Sequence, residues 1–390
     1  MPDISIVIVS WNGRQHLEAC LTAVAAQQGV DAETILVDNA SVDGTAGFVR
    51  ERFPWVRIVA LDSNRGFAGG NNAGAREARG RYLAFLNNDT IAEPGWLRAL
   101  RDGIDESHKV AFVTSHIVYM HDPAVIDSVG DGLTRAGGAF KRLHGRRASE
   151  ARESREVFGA CGAAFLMSKA VFEELGGFDD DFFASYEDVD LSYRAQLRGY
   201  RCRYVADAVV RHHGSATLGR VSAQSVFQAQ RNLEWMYFKN TPAVILLRTL
   251  PQHLVYNAAA AAHFARLGLL GVFLRAKANA LGGVLPILRK RSAVQRARTA
   301  PAADIWRQLE PHWLALKLSE EKFDLSIADA RLENAPSGNG RPDRLGHGRV
   351  ASAARQNSAG STVSQADCPG GPPELHAKAE GRPLPQKIEP

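Results

Sequence analysis

From Ile4 to Leu100 the chain repeats one unit: a short apolar run, a polar rim rich in Asp and Asn, then residues at helical spacing. Strands covered on both faces read as continuous apolar runs, and parallel neighbours need a helical crossover. The repeat therefore predicts a doubly wound α/β layer. Ile4 to Val9, reading ISIVIV, is the first central strand. Ser10-Trp11-Asn12-Gly13 makes the turn, and Leu17, Leu21, Val24 and Ala25 mark one face of a helix running to Gln28. A second strand, Thr34 to Val37, ends in Asp38-Asn39-Ala40-Ser41-Val42-Asp43-Gly44-Thr45, where Ser41 or Asp43 caps a helix to Arg52. A third, Val56 to Leu61, leads through a Gly/Asn loop, Asn64 to Gly74, into a helix through Ala78. The fourth, Tyr82 to Leu86, stops abruptly at Asn87-Asn88-Asp89.

Ligands of open α/β sheets sit beyond the carboxyl ends of the strands, so successive polar rims there make a phosphate or metal site possible. Asn and Asp also serve simply as turn formers, and the rim residues by themselves are open to that reading. The loop Asn64-Arg65-Gly66-Phe67-Ala68-Gly69-Gly70-Asn71 has the glycines that let a backbone approach phosphate, or else glycines that only turn the chain. It follows the third strand and lacks GxGxxG spacing, and no GxxxxGK[ST] phosphate loop occurs in the sequence.

Further on, Val110 to Ser115 predicts another strand, and Tyr119 to Arg155 reads as an irregular hairpin or flap. Val157 to Met167 is a strand whose Gly and Ala residues admit close approach of another group. Lys169 to Leu175 is a short helix closed by Gly176-Gly177. Phe178 to Arg194 then carries Asp179, Asp180, Asp181, Glu187, Asp188 and Asp190. These acids suit a first helical turn, with Ser185 and Asp188 as a capping box and Asp190 with Arg194 as an ordinary i,i+4 pair. Beside Phe182, Phe183 and Leu191, a half-enclosed carboxylate also suits general-base work. The last strand, Tyr204 to Val210, runs into His212 and His213, which are surface residues or, on the same rim as Asp89, ligands for Mg or Mn.

The six motifs SIVIVSWNG (from Ser5), VDNASVDGT (from Val37), NRGFAGGNNAG (from Asn64), FLNNDT (from Phe85), YEDVDLSYR (from Tyr186) and HHGSAT (from His212) together resemble the family 2 inverting glycosyltransferases, over about residues 3 to 240. Within them the chain is most similar to bacterial rhamnosyltransferase-like enzymes of cell-envelope polysaccharide assembly. The resemblance implies a GT-A fold, a Rossmann-like doubly wound mixed sheet, followed by C-terminal helices. It implies that Asp38 reads the pyrimidine of a nucleotide-sugar donor. Ser10, Asn12, Asn39, Asp43, Asn64, Gly66, Phe67, Gly69, Asn71 and Asn88 complete the donor pocket. Asp89, with His212, is implied to hold a divalent cation, Mg or Mn, on the diphosphate, and Asp188, the second acid of Glu187-Asp188, to be the catalytic base. Asn87 stands where a stricter DxD motif has Asp, a neutral ligand in place of a charged one.

Cys20, Cys161, Cys202 and Cys368 are widely spaced and form no CxxC pair, which argues against a zinc cluster or disulfide framework and fits a reducing compartment. Ile4 to Val9 is too short for a signal peptide's apolar core and no basic segment precedes it, so a cytoplasmic protein is expected. The net charge of +5 is modest; its distribution matters more. Between Trp235 and Ala303 there is no Asp or Glu, while Lys239, Arg248, Arg266, Arg275, Lys277, Arg289, Lys290, Arg291, Arg296 and Arg298 punctuate apolar runs. The pattern predicts amphipathic helices over 241–333, attached peripherally to the inner face of the cytoplasmic membrane, where a polyprenyl-linked saccharide acceptor lies; packing on the 1–240 domain is the alternative. No run reaches the roughly 18 uninterrupted residues of a spanning helix. No aromatic-basic interleaving points to nucleic acid. From Asn334 to Pro390 the composition predicts a disordered tail. Two other classes share a nucleotide-binding sheet: a sugar-nucleotide synthase, for which no basic loop follows the first strand, and a non-catalytic membrane scaffold.

Overall fold

The computed structural model describes residues 1–214 and 222–318. The tail and Ser215-Ala216-Thr217 of the last motif lie outside the described residues. The N-terminal layer runs β1 (Ile4–Ser10), α1 (Arg14–Ala25), β2 (Ala32–Asp38), α2 (Thr45–Arg52), β3 (Arg57–Ala60), α3 (Gly66–Glu77) and β4 (Tyr82–Asn87). Then come β5 (Thr90–Ala92), α4 (Trp96–Gly103) and β6 (Val110–Tyr119). An insertion carries β7 (Ile126–Ser128), β8 (Asp131–Leu133) and β9 (Ala139–Lys141), and β10 (Arg155–Val157), β11 (Ala164–Ser168), α5 (Lys169–Glu174), α6 (Glu187–Leu197) and β12 (Arg201–His212) complete the sheet. Helices α7 (Ala223–Asn240), α8 (Ala243–Arg266), α9 (Leu270–Gly282), α10 (Val284–Ala297) and α11 (Ala302–Gln308) follow.

The main sheet is mixed, in the order β10-β12-β6-β11-β4-β1-β2-β3, with β5 on β12 and β7 on β6. Strands β4, β1, β2 and β3 are parallel, and β11 runs antiparallel between β4 and β6. Side chains alternate faces along each strand: Ile4, Ile6 and Ile8 enter one core cluster, Val7 the other. Burial on both faces is why these strands read as unbroken apolar runs. One core holds an aromatic knot in which Phe85 stacks on Phe165 at 4.9 Å and meets Phe178 edge-on at 5.2 Å.

Two sequence expectations are corrected. The predicted Asn64–Gly74 loop is a helix from Gly66 onward. Its glycines serve packing: a Cβ on Gly70 would lie 2.7 Å from Val9 and one on Gly74 2.4 Å from Val7, so α3 rides directly on β1. The Val157–Met167 strand is broken into β10 and β11, because the turn between them passes under α6. There a Cβ on Gly159 would meet Ser192 at 2.7 Å, which identifies α6 as the closely approaching group.

The C-terminal helices close on the same body, since Ile245, Ala300, Ile305 and Leu309 share a core cluster with Phe158, Phe182 and Val189. Their charges require a third correction. Lys239 is buried against Asp179 (2.6 Å) and Asp190 (2.7 Å), and Lys277 pairs with Glu234 at 2.6 Å. Lys290 bridges Asp179 and Asp181, and Arg291 caps the carbonyls of Phe238 and Thr241. These cations face inward because their acidic partners, outside the acid-free window, lie on earlier elements. No single helix among the described residues is long and apolar enough to cross a membrane; α9 and α10 qualify only as a pair bent by 61°.

Candidate active site

Register brings the polar rims together. Ser10 pairs with Asp38 across β1 and β2, and Val9 with Asn87 across β1 and β4, so the strands end in one line. The rim residues then lock to one another. Asn88 Nδ2 donates to Ser10 Oγ (3.0 Å), the Asn12 amide donates to Ser41 Oγ (3.0 Å), and Asn12 Oδ1 accepts from Val42 N–H (2.8 Å). Asp43, beside rather than at the Gly44 N-cap of α2, accepts from the Arg14 and Thr45 amides. Asp38 is buried at the end of β2 and its Oδ1 accepts from Ser41 N–H. Asn39 fixes the third rim: its Nδ2 reaches Asn64 Oδ1 (2.9 Å) and the Gly66 carbonyl (3.0 Å), while its Oδ1 accepts from Arg65 N–H.

Not every predicted pocket residue faces this rim. Phe67 packs on Phe178 at 5.6 Å, Asn71 is buried and donates to the Phe67 carbonyl, and a Cβ on Gly69 would contact Arg65. Gly66 sits at φ +70°, with Phe183 O 2.3 Å from where a Cβ would be, so no other residue fits there.

Asp89 and His212, 123 residues apart in sequence, meet because β5 pairs antiparallel with the end of β12, setting His212 opposite Thr90. His212 Nε2 is 3.4 Å from Asp89 Oδ1. On the other side, His212 Nδ1 donates to Asp127 Oδ2 at 2.8 Å, and Lys141 Nζ donates to Asp127 Oδ1 at 2.7 Å. Burial alone would lower His212, but the hydrogen bonds and charges of Asp127 and Asp89 outweigh it and push the ring up to about 9. Burial likewise opposes ionisation of Asp127, yet Lys141 and His212 hold its carboxyl well below the usual range.

The donor set fits a divalent cation. Asp89 supplies a carboxylate and His212 an imidazole whose other nitrogen is hydrogen-bonded to Asp127. Among the described residues no group of three or more His, Cys, Asp or Glu forms a complete cage. Mg and Mn sites on diphosphates are commonly of this kind, with phosphate oxygens and water completing the shell.

The base candidate lies beyond a strained turn. Phe183, Ser185 and Tyr186 all have positive φ (62°, 72° and 71°), and Tyr186, not Ser185, is the N-cap of α6, with no side-chain cap bond. Asp188 therefore does not take part in the predicted capping box. Its Oδ2 accepts from Gly162 N–H (2.8 Å) and its Oδ1 from Val189 N–H (2.8 Å). The same turn touches the rim that carries Asp89, since Asn87 N–H donates to the Ala163 carbonyl at 2.9 Å. Burial raises the Asp188 pKa against these two amide bonds, which makes the carboxylate a better base. Glu187 is more buried, with Oε2 unpartnered, and burial plus the Asp188 charge push its pKa well up. Asp190 and Arg194 form the expected i,i+4 pair, at 2.8 Å and buried, with Arg194 also capping the Leu175 and Gly177 carbonyls.

Three supporting residues escaped the sequence reading. Asp127 had only the signal of a lone carboxylate in the run VIDSVG, and Gly162 that of one glycine among small residues. Asn232, fully buried on α7, aims its Nδ2 at the carbonyls of Phe182 (2.8 Å), Ala184 (3.0 Å) and Ser185 (2.7 Å) and so braces the strained turn from outside the sheet.

A mixed sheet with phosphate-type rims, an Asp-His pair and a seated carboxylate defines a GT-A nucleotide-sugar fold. A sequence profile described as "Glycosyltransferase like family 2" matches residues 2–237, and the chain belongs to this family. The N-acetylglucosaminyl-diphospho-decaprenol L-rhamnosyltransferase of Mycobacterium tuberculosis is 26% identical over 267 residues, covering 60% of this chain and 87% of that protein. The succinoglycan biosynthesis protein ExoO of Rhizobium meliloti is 37% identical over 106 residues, 27% of this chain and 30% of that protein. The chain thus spans less than a third of one of these relatives and most of the other. Among solved structures, GalNAc-T7 with UDP, GalNAc and Mn2+ aligns with a TM-score of 0.50 at 17% identity, over 61% of this chain and 48% of that one.

Proposed function

We propose that this protein transfers a sugar, with inversion, from a nucleoside-diphosphate donor to a hydroxyl of a cell-envelope glycan or polyprenyl-linked saccharide. Rhamnose from dTDP-rhamnose is the favoured donor, on the strength of the mycobacterial relative. The observation that carries the reading is Asp188, held by the Gly162 amide on the turn that also hydrogen-bonds Asn87 at the Asp89-His212 rim. Asp188 takes the acceptor hydroxyl proton as that oxygen attacks the anomeric carbon, and the nucleoside diphosphate departs from the opposite face. Asp38 and the locked rims position the donor, and Asp89 and His212 are the residues for Mg or Mn, which would neutralise charge on the departing diphosphate. The outward faces of α8 to α10 support peripheral attachment to the inner face of the cytoplasmic membrane. Leu247 (76% exposed), Leu281 (73%) and Leu285 (65%) are exposed on these helices, as are Arg248, Arg266, Arg275 and Arg289.

The test is a thermal-shift panel of dTDP-, UDP- and GDP-sugars with Mn, Mg or EDTA, followed by transfer assays. A metal-dependent shift with dTDP-rhamnose supports the full reading; a shift with another donor keeps the reaction and changes the sugar. Asp188→Asn is expected to lose at least about 10²-fold in turnover and to keep donor binding. Loss of donor affinity in that variant takes Asp188 out of the base role. Co-flotation with anionic but not neutral vesicles, abolished in a Leu247→Ser/Leu281→Ser/Leu285→Ser variant, checks the membrane face; equal recovery with both lipids rejects it.

A further inference from the structure

The insertion between β6 and β10 carries both Asp127 and Lys141, and its register is specific. Strand β7 pairs with the end of β6, which pairs with the end of β12, so Asp127 is delivered beside His212 from an element distant from both proposed cation ligands. Asp127 is buried, 1% exposed, and each of its oxygens has a different cationic or N–H partner: Oδ2 the His212 Nδ1, Oδ1 the Lys141 Nζ. Lys141 comes from β9, and His144 Nδ1 donates to the Asp127 backbone carbonyl at 2.8 Å.

Resting on the transferase reading, we propose that Asp127 is a positioning residue that selects the His212 tautomer, with Lys141 fixing which Asp127 oxygen faces the ring. A carboxylate at Nδ1 accepts only, so the ring keeps its proton there, and the proton a cation would displace is the one on Nε2, facing Asp89. Lys141 donates only, so whichever oxygen it holds is removed from His212. This arrangement makes the effect of an amide calculable. In Asp127→Asn, Lys141 retains the single amide oxygen, the NH2 group is turned to His212, and the ring must accept at Nδ1. Its proton then moves to Nε2 and blocks the cation.

The experiment is Mn2+ titration of the full chain, free ion read by electron paramagnetic resonance, with saturating nucleotide chosen by the thermal-shift panel. Asp127→Asn is expected to weaken Mn2+ binding 10- to 100-fold, with nucleotide binding in EDTA unchanged. The double variant D127N/K141M frees the amide to rotate its oxygen to His212 and is expected to recover most of that loss. Wild-type affinity in D127N overturns the proposal and leaves the transferase reading intact. A loss that K141M does not relieve also overturns it, since a merely structural aspartate behaves that way. Absence of Mn2+ binding in the wild type removes the metal part of the transferase reading and this proposal with it, whereas the Asp188→Asn assay is unaffected.

Discussion

At the scale of residues, the proposed chemistry depends on how Asp188 is seated. A Cβ at Gly162 would lie 2.9 Å from Asp188 Oδ2 and 3.3 Å from its Cβ, so Gly162→Ala must push the carboxylate aside. Small misplacement of a reacting group costs about 10²-fold in rate. We expect that loss in turnover for Gly162→Ala, with donor KM and Tm nearly unchanged; unaltered turnover would separate Asp188 geometry from rate. Because burial raises the Asp188 pKa above its ordinary 3.8, the deprotonated base is lost on acidification earlier than for an exposed aspartate. The acid limb of kcat/KM against pH is therefore expected above that value, and a profile flat through pH 4 contradicts it.

At the scale of elements, the turn Phe183–Tyr186 is left-handed at three non-glycine positions and is not self-supporting. Asn232 of α7 supplies the missing donors, and Arg231 adds bonds to the Asp181 and Phe182 carbonyls. Asn232→Ala takes the side-chain donor from the Ala184 and Ser185 carbonyls, while Phe182 keeps Arg231, at about 1–3 kcal/mol. The expected result is that loss in urea denaturation together with a drop in turnover, as α6 no longer starts in register. Loss of stability with full turnover would mean that the turn holds its shape unaided.

At the scale of the whole molecule, buried ion pairs tie the C-terminal helices to one another. Glu234 on α7 meets His253 of α8 at 2.9 Å and Lys277 of α9 at 2.6 Å. Burial opposes its ionisation, but these partners prevail and bring its pKa from 4.5 to about 2. A carboxylate depressed on folding adds stability above its unfolded pKa, and that contribution fades as pH falls from about 4.5 to 2. At 1.36 kcal/mol per pKa unit, the effect is on the order of 3 kcal/mol. Glu234→Gln is expected to lower stability at pH 7 by up to that amount and to match the wild type near pH 2; a gap independent of pH would show that packing, not charge, is lost.

The sequence by itself determined the layer: apolar runs buried on both faces dictate central strands, and the polar residues ending each run, from Ser10 to Asp38 to Asn87, dictate where a site lies. Such signals are local, because a strand's burial pattern and its terminus are written in contiguous residues. The part of α3 from Gly66 to Gly74 was read as a loop because its glycines are explained by Val7 and Val9 across the interface, which no local pattern contains. The inward cations of α7, α9 and α10 looked like a membrane surface because their partners Asp179, Asp181, Asp190 and Glu234 fall outside the acid-free window. Only the tertiary structure decided that Asp127 stands behind His212, that Gly162 holds Asp188 and that Asn232 braces the turn. Each is a contact of one donor with one acceptor across dozens of residues, set by strand register and helix packing, and a single polar residue leaves no periodic trace in the chain.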